Sequence, residues 1–143
     1  MFGGKKRGDY RVREILDAAN VSYVVDDDGD FKIIYGYEDN RSQVVFINSN
    51  THTFAGVEIR EVWSIGLKGT GQLSSAVANE LLVRNSRYKV GSWSINKQEG
   101  QVVAIFRVAV SADASRSELI PIVEMVGVHA DEVEREFLSS DDL

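Results

Sequence analysis

Hydrophobic and polar positions change period several times along the chain, and each change predicts an element. Tyr10, Val12, Ile15, Leu16 and Ala19 form a helical stripe behind Asp9, a suitable cap, with Asn20 as the stop. Val21–Val25 and Phe31–Tyr35 flank Asp28-Gly29, which predicts a hairpin. Gln43–Asn48 is a further strand. After the polar Ser49–Thr53 connection, Val57, Ile59, Trp63, Ile65 and Leu67 alternate, with Glu61 the misfit. That alternation predicts a half-exposed strand with Trp63 as a core anchor and Glu58, Arg60, Val62 and Ser64 facing out. Gly66–Gly71 reads as a flexible link capped by Thr70, leading into a helix from Gln72 to about Asn85. On that helix Leu73, Ala76, Val77, Leu81 and Arg84 make one stripe, and Ala78, Leu82 and Asn85 a neighbouring one.

The closing unit, from Arg87 to Leu138, organises the rest. Tyr88–Ile95 alternates, and Asn96–Gly100 is a polar connection of hairpin length. Gln101–Val110 is apolar on both faces, with Val102, Ala104, Phe106, Val108 and Val110 on one and Val103, Ile105 and Ala109 on the other, interrupted by Arg107. Such a strand belongs in the middle of a sheet, or needs a helix or another subunit over its second face. Ser115 and Glu118 have capping-box spacing, with Ser117 the rival cap. Leu119, Ile122, Val126, Val133 and Phe137 then share one face of a long helix, and Glu124, Asp131, Glu132, Glu134 and Glu136 read as its solvated remainder. Gly127 within it costs about 1 kcal/mol against alanine and is a potential kink.

Composition narrows the classes. The 143 residues fit one domain, expected over 9–138, with a basic arm at 1–8 and an acidic tail at 139–143. Absence of cysteine removes disulfides, thiol nucleophiles and cysteine-based metal centres. No apolar run reaches the length of a membrane span, and Met1–Arg7 does not lead into a signal-peptide core, so a cytoplasmic protein is expected. A net charge of −6 argues against a general nucleic-acid binder. The charge is uneven: residues 1–16 carry +3 and residues 118–143 carry −7. These are either two solvated termini or a basic arm docked on an acidic helix.

Candidate chemistry is sparse. Asp26–Asp30 tempts a calcium reading, yet counting from Asp26 the glycine falls at position four and Tyr37 at twelve, which fits a plain turn better. Lys68, Gly69, Thr70 and Gly71 are the candidate anion loop, since amides at a helix start attract phosphate. Their spacing matches neither nucleotide fingerprint, because Gln72 and Leu73 follow Gly71. His129 and Glu132 have helical spacing for two ligands, without a visible third. No metal, cofactor or catalytic set is expected.

The order is helix, three or four strands, helix, two strands, helix. With Ala76-x-x-x-Glu80-Leu81-Leu82, Tyr88-Lys89-Val90-Gly91-Ser92-Trp93, Gln101–Phe106 and the closing helix from Ser117-Glu118-Leu119 to Ala130-Asp131-Glu132, the chain resembles the YbjN-like family of small bacterial proteins. That family is similar in fold to the type III secretion chaperones. The resemblance covers nearly everything after Asp9; Gly66–Gly71 and the long Glu58–Leu67 strand depart from it. It implies an α+β fold, an antiparallel sheet flanked by three helices, and commonly a homodimer. It also implies a non-enzymatic role in binding a partner or client polypeptide, or in regulation. Trp93, Phe106, Ala78 and Leu82 are then candidates for a partner groove or dimer face, the alternative being that they are core.

Overall fold

The structure, a computed structural model, describes residues 7–138. Most of the expected basic arm and all of the expected acidic tail lie outside the described residues. Helix α1 (Tyr10–Ala18) leads into β1 (Val24–Val25), β2 (Phe31–Gly36), β3 (Ser42–Ile47), β4 (His52–Phe54) and β5 (Val57–Thr70). Helix α2 (Ser75–Asn85), β6 (Ser92–Gln98), β7 (Gln101–Ser111) and α3 (Arg116–Leu138) complete the chain. All strand pairs are antiparallel, in one seven-stranded sheet of order β1-β2-β3-β5-β7-β6, with β4 paired to one end of β5. The α+β class and the three helices are as expected, but five strands rather than three or four separate α1 from α2, because His52–Phe54, which overlaps the expected polar connection, pairs with β5 as β4.

Local chemistry explains the boundaries. Asp9 accepts a hydrogen bond from the Arg11 amide at the start of α1, and Asn20 takes a left-handed φ of 57° just beyond its end. Strand β6 runs to Gln98, so the connection to β7 shrinks to Glu99-Gly100, both at positive φ, as a tight two-residue hairpin requires. Strand β6 starts at Ser92 rather than Tyr88, because Gly91 turns the chain at φ 84° and frees the Tyr88 ring to pack on Phe106, centroids 5.1 Å apart. At α3, Ser115 Oγ lies 3.1 Å from Glu118 Oε1 and the Ser115 carbonyl takes the Glu118 and Leu119 amides, so Ser115, not Ser117, begins the helix.

One face of the sheet holds the core. Phe31, Ile33, Val45, Ile47, Val62, Ala104, Phe106 and Val108 meet Val12 and Leu16 of α1, Val77 and Leu81 of α2, and Leu119, Val123, Val126, Ala130 and Val133 of α3. Helix α3 lies across β3, β5 and β7. It runs unbroken through Gly127, and the glycine has a packing reason. A Cβ there would sit 2.5 Å from Tyr37 Oη and 3.2 Å from Val45 Cγ2, so only a bare backbone lets the helix approach the sheet this closely. Asp131, expected in solvent, is buried and receives Arg41 Nε at 3.0 Å.

Three expectations are corrected by β5. The strand extends through Lys68, Gly69 and Thr70, paired with Val103, Val102 and Gln101, where a flexible link was expected. The cap of α2 is Ser74, whose Oγ accepts from the Val77 amide, not Thr70. And the faces are reversed: Arg60, Val62 and Ser64 point into the core, while Ile59, Trp63 and Ile65 lie on the opposite face. A register shift between Ile65 and Leu67 turns Leu67 back inward, which is why it alone of the alternating set joins the core.

Candidate functional site

The face of the sheet away from the helices is the candidate site. Its centre follows from the pairing: Phe46 opposite Trp63, Trp63 opposite Arg107, and Ile65 opposite Ile105. The Phe46 and Trp63 rings stack at 4.1 Å and 11°, and Trp63 Nε1 donates to Asn48 Oδ1 at 2.8 Å. None of Ile34, Phe46, Trp63, Ile65, Val103 and Ile105 packs against the helix-side core among the described residues. Ile34 is 69% exposed. The patch continues to the tip of the β4–β5 hairpin, where Phe54 faces Val57 and both stand in solvent.

Two hollows flank Ile105 on this face. One of about 240 Å³ lies between Trp63, Ile65, Val103 and the side-chain amides of Asn96, Gln98 and Gln101. The other, of about 210 Å³, is lined by Asn48, Glu61, Trp63, Ser94, Asn96 and Arg107. Ser94 Oγ is buried without a hydrogen-bond partner there. Arg107 and Glu61 approach at 3.5 Å across β5 and β7, and Lys32 Nζ lies 5.8 Å from the Phe46 ring centre. Aromatic anchors within a polar, amide-rich rim match the anatomy of protein interfaces.

The other sequence candidates are distributed differently. Trp93 and Phe106 are buried, with ring centroids 5.5 Å apart, which is the core alternative open to them. Ala78 is half-buried, whereas Leu82 is 66% exposed beside Val83 on the outer side of α2. Lys68, Gly69 and Thr70 are strand residues, and the Gly71 amide donates to the Gly100 carbonyl at 2.8 Å. The amide cradle that motivated an anion loop is therefore not formed at these positions. His129 packs on Tyr88 and Phe106, with Nδ1 3.5 Å from Glu132. Asp26, Asp28 and Asp30 bring carboxylate oxygens within 4.8 Å of one another, but Asp26 Oδ1 accepts the Asp28 and Asp30 amides and Asp30 Oδ1 the Ser49 amide, so two of the three carboxylates close the turn.

A polar cluster fastens α1 over the end of the sheet. Arg60, 1% exposed, donates to Asp9 Oδ2 and to the Asn48 and Ser49 carbonyls. Arg11 bridges Asp9, Glu58 and Asp113. The Arg11 guanidinium, with Arg60 beside it, holds Asp9 well below the usual carboxylate range, and Arg11 with Thr51 lowers Glu58 to about 2. Three acids of α3 have partners on other elements: Asp131 in Arg41, Glu134 in Gln43, and Glu136 in Arg84. Burial next to the Tyr35 ring, α3 and Asp131 pushes Tyr37 up to about 12.

In the sequence the outer patch shows as the alternation of Ile59, Trp63 and Ile65, a pattern equally that of a core face. The signal that identified it correctly was the two-sided apolarity of Gln101–Val110, which called for a cover over the second face. Against known proteins, the family model of YbjN, described as "putative bacterial sensory transduction regulator", matches residues 9–139. Comparisons with curated proteins and with solved structures return no match.

Proposed function

The chain belongs to the YbjN family, and from that premise we propose that it is a non-enzymatic regulatory domain which binds a partner polypeptide and assembles as a homodimer. The observation that carries the reading is the aromatic patch on the helix-free face of the sheet, where Trp63, Phe46 and Ile105 sit among side-chain amides. Such a surface favours association with another chain, because apolar area left in water is stabilised by burial at about 25 cal/mol per Å². Leu82 and Val83 on α2 give self-association a separate apolar face. The family description supports a regulatory role. The phosphate-loop alternative has lost its structural motive, since Lys68–Thr70 pair as a strand.

Affinity capture followed by reconstitution with each purified partner tests the reading. The expected result is a stoichiometric complex, with no thermal stabilisation by nucleotides or phosphorylated metabolites. A chain for which no purified protein binds, but which a phosphorylated metabolite stabilises, would reverse it. Light scattering tests the dimer: a mass near 32 kDa, twice the 15.9 kDa chain, is expected, and Leu82→Lys should shift it towards monomer.

A further inference from the structure

Resting on the interaction reading above, we propose that the helix-free sheet face is the docking site and that its occupant is an acidic polypeptide segment bearing apolar anchor side chains. Charge identifies the occupant. The chain carries −6, yet the described charged residues on this face are Lys32, Lys68 and Arg107 against Glu61, a net +2. The rest of the chain therefore sums to −8, so this face is cationic on an acidic protein. A second copy docked face to face would set +2 against +2, whereas an acidic segment gains attraction at the same contacts.

The hollows supply the second part. Ile105 lies between them and is 7% exposed although no helix among the described residues covers it, so its neighbours form the walls of two depressions side by side on the sheet. Apolar floors spaced in this way take successive anchor side chains of a bound segment. Around them stand Asn96, Gln98 and Gln101, whose amides both donate and accept, as a peptide backbone requires. Ser94 Oγ, buried with its hydrogen-bonding capacity unused, lies at the second hollow and gains a partner when a backbone group arrives. Trp63 stands at both hollows with its indole fixed by Asn48 and Phe46, so the anchor is held in place before binding.

Panning the purified full-length chain against a random twelve-residue peptide display library tests this. The recovered peptides should be enriched in Asp and Glu together with Leu, Phe or Trp. A synthetic copy of the strongest should bind at least about tenfold more weakly to Trp63→Ser and to the double variant K68E/R107E, and weaken with added salt. Lys68 and Arg107 are exposed, so the charge-reversed variant should unfold at the same urea concentration as the parent. The proposal is overturned if peptides are neutral or basic, if no peptide is enriched, or if charge reversal leaves binding unchanged. It is equally overturned if light scattering shows a dimer that Trp63→Ser dissolves, or if sedimentation with phosphatidylglycerol vesicles is lost in K68E/R107E. A purified partner retained by both variants would leave the interaction reading standing and move its site elsewhere; loss of all polypeptide binding by the parent chain would end both.

Discussion

The inner and outer faces of the sheet are built from the same strands, with neighbouring residues of β5 and β7 contributing alternately to each. Inside, Phe106 is fully buried beneath α3 and surrounded by the rings of Tyr88, Trp93 and His129. Outside, Trp63 and Phe46 stack on each other, with Lys32 over the Phe46 ring, and stay partly in solvent. The inner face even accommodates a charge, since Arg60 is more buried than any apolar residue of the outer patch. Polarity of the individual side chain therefore does not decide which face is core. The cover does: three helices lie on one side, and whatever polar group falls beneath them is given partners, as Arg60 is by Asp9 and two carbonyls.

The contrast can be broken most forcefully from the inside. Phe106→Ala should cost about 4 kcal/mol in urea denaturation, since it opens a cavity under α3. A loss below about 1 kcal/mol would mean the inner face is not the load it is taken to be. Arg60→Met should cost about 3 kcal/mol, because it leaves Asp9 and the carbonyls short of a donor in a closed environment. Gly127→Ala should cost about 2 kcal/mol through the forced contact with Tyr37 and Val45. Tyr37→Phe in the same chain should recover part of that, as it removes the nearest atom and a buried hydroxyl with no partner; full additivity in the double-mutant cycle would exclude the contact.

Acid should loosen the polar corner that sets α1 over the sheet. Glu58 and Asp9 are lowered in the folded state, so folding favours their ionised forms, and the unfolded chain binds more protons. Their contribution is complete above the unfolded value of 4.5 for Glu58 and is lost as pH falls towards about 2. Urea midpoints measured from pH 6 to 2 should fall across that window, and less steeply in Arg11→Gln. The smallest effect belongs outside: Ile34→Thr, at a position 69% exposed, should leave stability within about 0.5 kcal/mol of the parent. A larger loss would show that the outer patch is stabilising the lone molecule after all.

Much of the architecture was legible because it is local. Asp9, Asn20 and the Ser115–Glu118 pair mark helix ends through side chain-to-backbone hydrogen bonds within a few residues. The closing hairpin followed from Gly100 and the two flanking apolar runs. The site was legible only in part. Val103, Ile105 and Arg107 announced a second face in need of cover, but Phe46 and Asn48, which join Trp63 from another strand, carry no mark of that role in their own neighbourhood.

By itself the sequence determined that Ile59, Trp63 and Ile65 share one side of a strand and that Arg60, Val62 and Ser64 share the other, because side chains alternate with a period of two. It could not determine which side turns inward. That was decided by the register of β5 against β3 and β7, by the shift between Ile65 and Leu67, and by Asp9, fifty-one residues away, arriving to neutralise Arg60. Periodicity is a property of the chain, whereas inside and outside exist only once distant segments have supplied the cover.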